Sequence, residues 1–216
     1  MLMKAPKPSF DMLAREAGRM VRKMFASHPG LRAERLCGVH NPWGFATDLL
    51  DAWHLLELCE AEALVERVVA VIGPDVILWD SQVYRGAEDY RAFLAEGREG
   101  RYWPADPLQG AVAVLRLGEP GAPPHVFAVP VDEAAKAKLA GAAGPLYVIR
   151  YMAATSRFRR EPGFAPNRLG MQEQLLIDYT ARPLWLVSGE DKAGNDFVTG
   201  FAPSAARWAG PRGRTE

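Results

Sequence analysis

The stretch DVILWDSQVY, residues 75–84, marks the point at which the pattern of the chain changes from helical to extended. Its β-branched and aromatic residues are typical of a strand, and the Gly73-Pro74 pair before it is typical of the end of a helix. Segments of the same character follow, and we predict a strand in each of them: 111–117, 125–131, 146–152, 175–179 and 184–188. An alanine-rich segment, 132–144, is the one short helix predicted among these strands.

The residues before this stretch have helical periodicity. Ser9 is a good N-cap for a first helix that ends at the His-Pro-Gly sequence of residues 28–30, and a second helical pattern extends to Ile72, with or without a break. Helices first and short strands afterwards predict an α+β chain built on an antiparallel barrel or sandwich.

The same pattern predicts how the domain is organised. We expect one domain over residues 1–203, mainly helical in 1–72 and mainly β in 73–203. The last residues, 204–216, have the composition of a flexible tail.

The composition argues against several classes of protein. The 216 residues include 26 basic and 26 acidic side chains, so no overall charge favours binding to nucleic acid or to an anionic membrane. No apolar run approaches the roughly 20 residues that a membrane span requires. The first ten residues lack the apolar stretch of a secretory signal, and two cysteines are too few for a disulfide framework. We therefore expect a cytoplasmic protein that binds neither nucleic acid nor a membrane.

Five segments in order along the chain carry a family resemblance: VIGPDVILWDSQVYRG (71–86), RYWPADPLQGAVAVLRL (101–117), VFAVP (126–130), VIRYMAATSRF (148–158) and LWLVSGEDKAGNDF (184–197). Together they resemble the phytanoyl-CoA dioxygenase family, whose members are iron(II)- and 2-oxoglutarate-dependent enzymes. The resemblance covers about residues 31–200. It implies a double-stranded β-helix core (jelly-roll, cupin-like) with the N-terminal helices packed on it.

The family's iron site is expected near EGREGRYWPADPL, residues 96–108. In the family, two iron ligands come as His-x-Asp on one strand, because side chains two residues apart point to the same face. Aligned on its Tyr-Trp-Pro sequence, this chain has Gly97 at the histidine position and Glu99 at the aspartate position. We interpret the segment as a barrel strand with Tyr102 and Trp103 in the wall and Pro104 at its end.

The rest of the iron site is also missing from the sequence. The segment expected to supply the distal histidine, 131–146, is shorter than in the family and contains no histidine, and Gly144 stands near the position of the arginine that binds 2-oxoglutarate. No other histidine restores the motif: His28, His40, His54 and His125 are followed two residues later by Gly30, Pro42, Leu56 and Phe127. We therefore expect no metal and no cofactor.

The resemblance also implies which side chains line the former co-substrate pocket. Arg85 stands where the family often carries a lysine that faces the co-substrate, so we predict that it binds a ligand; a solvated arginine at a strand end is the alternative. Gln82, Glu99, Tyr102 and Trp103 complete the predicted pocket.

Two further groups of residues are candidate binding sites. Cys37, His40, His54 and Cys59 have a superficial zinc-ligand pattern, but residues five apart on a helix differ by about 140° around its axis and do not converge. Arg157, Arg159, Arg160 and Arg168 form a basic cluster, which suits a phosphate or an acidic partner but is more often a solvated loop.

The sequence thus leads to three hypotheses. The first is a noncatalytic relative of the dioxygenases, a pseudoenzyme that binds a small anionic or apolar ligand or serves as partner subunit to a homologous protein. The second is an active non-haem iron(II)/2-oxoglutarate-dependent oxygenase with substituted ligands, for which Glu99 and His125 are the candidates. The third is an interaction module with an empty pocket.

Overall fold

The protein is described by a computed structural model that covers residues 8–44, 46–119, 121–139, 142–173 and 182–197. The helices are α1 Phe10–Ser27, α2 Ala52–Cys59, α3 Glu62–Ile72, α4 Ala87–Ala95, α5 Glu133–Ala137 and α6 Ala165–Gln172, with a 3-10 helix at Ala33–Leu36. The strands are β1 Val76–Tyr84, β2 Ala105–Asp106, β3 Gly110–Arg116, β4 His125–Val129, β5 Leu146–Ala153, β6 Arg157–Phe158 and β7 Trp185–Ser188.

Five of the strands form one antiparallel sheet in the order β4-β3-β5-β1-β7. The central strand, β5, pairs with β3 on one side and with β1 on the other, although β1 precedes it by about 60 residues. The short strands β2 and β6 pair with each other in a separate two-stranded sheet. The predicted α+β class is therefore confirmed.

The first three helices cover one face of the sheet. Ser9 caps α1, since its Oγ accepts a hydrogen bond from the backbone N–H of Met12 at 3.3 Å. Gly73, with φ of 90°, ends α3 in a conformation that favours glycine. The apolar core on this face contains buried side chains from all three helices and from β1, β3 and β5: Leu13, Val21, Leu55, Leu64, Val68, Leu78, Ala113 and Ile149.

The other face of the sheet is covered as well. Alternate residues of the central strands, including Ile77, Val112 and Val148, pack there against α4, α5 and the segment around Trp103. Ala105 of β2 and Phe158 of β6 belong to the same apolar core. Because both faces are covered, β5 is buried along its whole length, which explains its nearly continuous apolar sequence.

The predicted strands at 75–84, 111–117, 125–131, 146–152 and 184–188 are confirmed with small changes at their ends. The strand predicted at 175–179 and the tail at 204–216 lie outside the described residues. Helices α4 and α6 were not predicted. The jelly-roll core is not confirmed: within the described ranges, the strands beyond the five-stranded sheet are β2 and β6, of two residues each.

The prediction of a strand over residues 96–104 was wrong. Helix α4 continues to Ala95, turns follow, and extended structure begins only at Ala105. Gly97 and Gly100 have φ angles of 65° and 90°, in the left-handed region that a strand does not use. These two glycines turn the chain back toward the sheet after the helix.

Among the helices that the structure describes, none combines the length and the hydrophobicity that crossing a bilayer requires.

Candidate ligand cavity

A cavity of about 370 Å³ lies between β1, α4 and the turn segment that follows α4. This volume is within the range of small-molecule sites. Much of its wall consists of aromatic rings, which come from Phe25, Trp79, Tyr84, Phe93, Tyr102 and Trp103. Charged side chains lie among these rings: Asp80, Arg85, Asp89, Glu96, Arg98, Glu99 and Arg150.

All five side chains predicted for the pocket line this cavity: Gln82, Arg85, Glu99, Tyr102 and Trp103. Gln82 and Arg85 come from β1 and the residue after it, and the other three come from the turns after α4. The structure therefore brings the predicted residues together, although the local structure of residues 96–104 differs from the strand we predicted. Their binding roles stay predictions.

An irregularity in β1 shapes the inner end of the cavity. The register of β1 against β5 shifts between Leu78 and Asp80, and both Trp79 and Asp80 line the cavity. In a regular strand these two adjacent residues would point to opposite faces of the sheet. The shift also sets Asp80 directly opposite Arg150 of β5.

Arg150 is the centre of a buried ionic network. Its Nε and one terminal nitrogen donate to the two oxygens of Glu99 at 2.8 and 3.0 Å, and its other terminal nitrogen donates to Asp80 at 3.0 Å. Asp80 also accepts a hydrogen bond from Arg182 at 2.9 Å. The side chains of all four residues are at most 6% exposed. Two carboxylates and two guanidinium groups thus neutralise one another inside the protein.

Burial affects the protonation of this network. For Arg150, burial acts to lower the pKa, but the negative charges of Glu99 and Asp80 outweigh it, so that its pKa lies well above the ordinary value. Burial, followed by the charge of Glu99, raises the pKa of Tyr90 well above its usual range. Tyr90 therefore stays protonated and donates to Glu99 at 3.0 Å.

Both oxygens of Glu99 are fully used by protein donors. Oε1 accepts from the Trp103 indole at 2.9 Å and from Arg150, and Oε2 accepts from Tyr90 and from Arg150. The residue at the family's aspartate position is therefore neutralised by an arginine. A metal ion bound to Glu99 would have to displace these donors.

The other residues considered for a metal do not join Glu99. His125 begins β4, the edge strand of the sheet, and does not line the cavity. Burial, with Arg116 and Lys138, lowers the pKa of His125. In the described ranges, no group of three or more His, Cys, Asp and Glu side chains has the arrangement of a metal site.

Three residues of the superficial zinc pattern form contacts with other groups and not directly with one another. His40 Nδ1 lies 2.8 Å from Ser81 Oγ, Cys59 Sγ lies 3.1 Å from Tyr147 Oη, and His54 Nε2 lies 2.9 Å from the carbonyl of Leu13. Tyr147 Oη also donates to Ser81 Oγ at 3.1 Å, so that Cys59 and His40 stand at the two ends of one buried hydrogen-bonded chain.

The basic cluster is partly neutralised by neighbouring groups. Arg159 pairs with Asp106 at 2.6 Å and with Glu161 at 3.1 Å. Arg160 donates to the carbonyl of Asp196 at 2.6 Å and lies over the ring of Phe158. These contacts join loops to one another, and they leave less charge for a phosphate than the sequence indicates.

Arg85 lies at the rim of the cavity. Its guanidinium is 4.2 Å from the centre of the Phe25 ring and donates to the carbonyl of Pro29 at 3.0 Å. Within the described residues, no carboxylate pairs with it. Arg85 is thus an exposed cation whose position is fixed by an aromatic ring and a backbone carbonyl.

Sequence reasoning missed the partners of Glu99. Arg150, which pairs with Glu99, and Asp80, which pairs with Arg150, lie in strands that are mostly apolar, and we took these strands only as packing elements. A signal was present, because charged residues in fully buried strands are found almost only as pairs. Trp79 and Phe93, which also line the cavity, carry no comparable signal in the sequence.

Comparison of the chain with protein-family models, with curated proteins and with solved structures found no match. A relation to the dioxygenases is therefore a prediction that rests only on the resemblance of the five segments.

Proposed function

We propose that this protein is a noncatalytic relative of the phytanoyl-CoA dioxygenases that binds a small molecule in the aromatic cavity. Two features support the proposal: the residue-level resemblance, which lacks the His-x-Asp motif, and a cavity lined by the side chains that the resemblance implies. A partner-subunit role and a cytoplasmic location remain predictions from the sequence.

The observation that carries the proposal is the bonding of Glu99. Iron ligation at this position requires a carboxylate oxygen that is free to meet the metal. Here Arg150 supplies the positive charge through two hydrogen bonds, and Tyr90 and Trp103 occupy the remaining positions. A metal ion would leave the Arg150 charge buried with one partner fewer, which is strongly unfavourable.

The sheet is compatible with the expected architecture. One sheet of a double-stranded β-helix is antiparallel and has neighbours that are distant in sequence, as β5 and β1 are here. In this proposal, β2 and β6 are what remains of the opposing sheet. The loss would follow from the short segment between β4 and β5, where the family carries its distal ligand.

Thermal unfolding followed by tryptophan fluorescence tests the proposal. The purified protein is melted alone, with manganese(II), with 2-oxoglutarate and with both. Ligand at a hundred times its dissociation constant stabilises by about 2.7 kcal/mol, which is roughly 5–10 °C for a domain of this size. Relative to the protein alone, we expect no such shift in any of the other three samples.

A turnover assay completes the test. With iron(II), ascorbate, oxygen and 2-oxoglutarate, we expect no release of succinate above that of heat-denatured protein. Turnover, or a melting shift that needs both metal and 2-oxoglutarate, would refute the proposal and favour the oxygenase with substituted ligands. In that case the loss of turnover in Glu99→Ala and His125→Ala would identify the ligands.

A further inference from the structure

The cavity has the features of a site for a flat ligand with one negative charge. We propose that it binds an aromatic monoanion, whose rings enter the cavity while its anionic group pairs with Arg85 at the rim. The inference rests on the proposed ligand-binding function and adds the chemical class of the ligand.

The inner end of the cavity excludes a charged group. The carboxylates of Asp80 and Glu99 are balanced by Arg150 and Arg182, and all four side chains are buried. A ligand charge placed beside this neutral network would be taken from water without a partner. The part of the ligand that enters the cavity is therefore uncharged. Doubly charged acids with anionic groups at both ends are poor candidates for the same reason.

The walls select a flat, apolar body. Trp79 and Trp103 meet edge to face with ring centres 5.1 Å apart, and Phe93 lies near Tyr84, Tyr90 and Tyr102 at 6.2–6.4 Å. A planar ring that enters such a cavity gains both buried apolar area and aromatic contacts.

The charges at the rim favour an anion. Arg98 pairs with Glu96 at 2.7 Å and with Glu173 at 3.2 Å, and Arg101 pairs with Glu173 at 3.5 Å, so these two cations and two anions cancel. Arg85 has no carboxylate partner in the part of the chain that is described, and its hydrogen bond to the carbonyl of Pro29 uses one of its five N–H donors. Because Phe25 and Pro29 hold the guanidinium in place, an anion that binds there does not have to order a mobile side chain.

Asp89 is the one rim group that argues for a different ligand. It is exposed, lines the same cavity, and has no cationic partner within the described ranges. A ligand with an ammonium group would use it. Within the described residues, no hydrogen bond or ring contact fixes the Asp89 carboxylate as Phe25 and Pro29 fix Arg85, so we assign the charged contact to Arg85.

A matched pair of fluorescent probes tests the inference. 1-Anilinonaphthalene-8-sulfonate is an aromatic monoanion, and N-phenyl-1-naphthylamine is the same ring system without the sulfonate. Both fluoresce when they leave water. Each is titrated against the native protein, and against Arg85→Gln, Asp89→Asn and Arg91→Gln. Arg91 is an exposed arginine on α4 that pairs with Glu88 and does not line the cavity, so its variant controls for net charge.

Ala92→Trp tests whether the probes enter this cavity. Ala92 is exposed on α4 and lines the cavity, so a larger side chain there fills the entrance without disturbing the core. Melting curves of all variants show whether each one is folded, because these probes also bind partly unfolded protein.

We expect the anionic probe to bind the native protein more tightly than the neutral one. Arg85→Gln should weaken the anionic probe about tenfold, as for the loss of a hydrogen bond to a charged group, and leave the neutral probe unchanged. Arg91→Gln should change neither, Asp89→Asn should leave the neutral probe unchanged and should not weaken the anionic one, and Ala92→Trp should weaken both. Equal binding of the two probes, or an Arg85→Gln variant that binds the anionic probe as tightly as the native protein does, would overturn the inference. None of these results involves iron, so the proposed lack of catalysis stands or falls separately.

Discussion

Arg150 on β5 holds Glu99, in the turn after α4, through two parallel hydrogen bonds of 2.8 and 3.0 Å. The pair connects the centre of the sheet to a segment that has no regular structure of its own between Ala95 and Ala105. Its bidentate geometry is the strongest arrangement available to an arginine and a carboxylate. This ion pair therefore ties one wall of the cavity to the centre of the sheet.

Removal of Arg150 should destabilise the protein strongly. In Arg150→Met, the carboxylates of Asp80 and Glu99 would face the single charge of Arg182, which leaves one buried negative charge without compensation. We expect a loss of about 3–5 kcal/mol in the free energy of unfolding, measured by urea denaturation. Arg91→Met, an exposed arginine beside Glu88, should change it by less than about 0.5 kcal/mol.

A second substitution should restore part of that loss. Arg150→Met with Glu99→Gln removes one charge of each sign and leaves the Asp80–Arg182 pair balanced. The double variant should therefore be more stable than Arg150→Met alone, even though it has lost the hydrogen bonds between the two residues. If the losses measured separately for Arg150→Met and for Glu99→Gln simply added up in the double variant, an uncompensated buried charge would not be the cause of the loss in Arg150→Met.

Gly110 is the residue whose enlargement should disturb the cavity most directly. A Cβ atom there would overlap the Trp103 ring and come within 2.7 Å of the carbonyl of Tyr151. Gly110→Ala should thus destabilise the protein by about 1–3 kcal/mol and displace Trp103 from Glu99 and Trp79. The displacement should appear as a change in tryptophan emission of the folded protein. Gly163→Ala, with open space around its Cβ position, should leave both stability and emission unchanged.

The sheet could be predicted from the sequence because its strands are the most regular part of the pattern. The β-branched and aromatic runs that contain Ile77, Val112 and Val148 have no competing helical periodicity, and each became a strand. Helix α4 was missed because it is short and because a family motif had already assigned its neighbourhood to the barrel. The motif placed Gly97 in a strand, whereas the positive φ angles of Gly97 and Gly100 identify turns.

The sequence predicted which residues line the candidate site, but not which side chains form hydrogen bonds with one another there. The resemblance implied Gln82, Arg85 and Glu99, which do share one cavity. It gave no reason to pair Glu99 with Arg150, because 51 residues separate them and Glu99 lies in a turn whose position depends on the assembled fold. A sequence pattern indicates which face of a strand a side chain takes, whereas its partner from a distant segment depends on the assembled fold.

The buried His40 should make stability depend on pH. Burial, followed by the charge of Arg182, lowers its pKa well below 6.5 in the folded protein. As the pH falls below about 6.5, the unfolded chain therefore takes up a proton that the folded protein does not, and stability decreases. The contribution of the neutral His40 to stability is fully present above that pH. The slope from one histidine is at most about 1.4 kcal/mol per pH unit.

Urea unfolding between pH 7.5 and pH 5 measures this effect. We expect a shallower decrease in His40→Asn than in the native protein, because asparagine keeps a hydrogen-bonding group near Ser81 but does not titrate. His125, whose pKa is also lowered, contributes with the same sign in both proteins. Parallel slopes for the native protein and His40→Asn would contradict the prediction.

The two cysteines should differ sharply in reactivity, and the difference reports on the cavity. Cys59 is fully buried, and burial, as the largest cause, raises the pKa of its thiol, so it offers no thiolate to a reagent. Cys37 is partly exposed and lines the cavity. With 4,4′-dithiodipyridine, which is uncharged, we expect one thiol to react in the native protein and two in urea.

A ligand in the cavity should slow the native reaction. Cys37→Ser should abolish the native signal while one thiol remains in urea, which assigns the reactive group. Saturation with 1-anilinonaphthalene-8-sulfonate should then reduce the rate at Cys37 severalfold, since the probe and the reagent compete for the same space. An unchanged rate at saturating probe would place the probe outside the cavity, whatever its affinity. Protection that disappears in Arg85→Gln would connect the anionic contact at the rim to occupancy of the site beside Cys37.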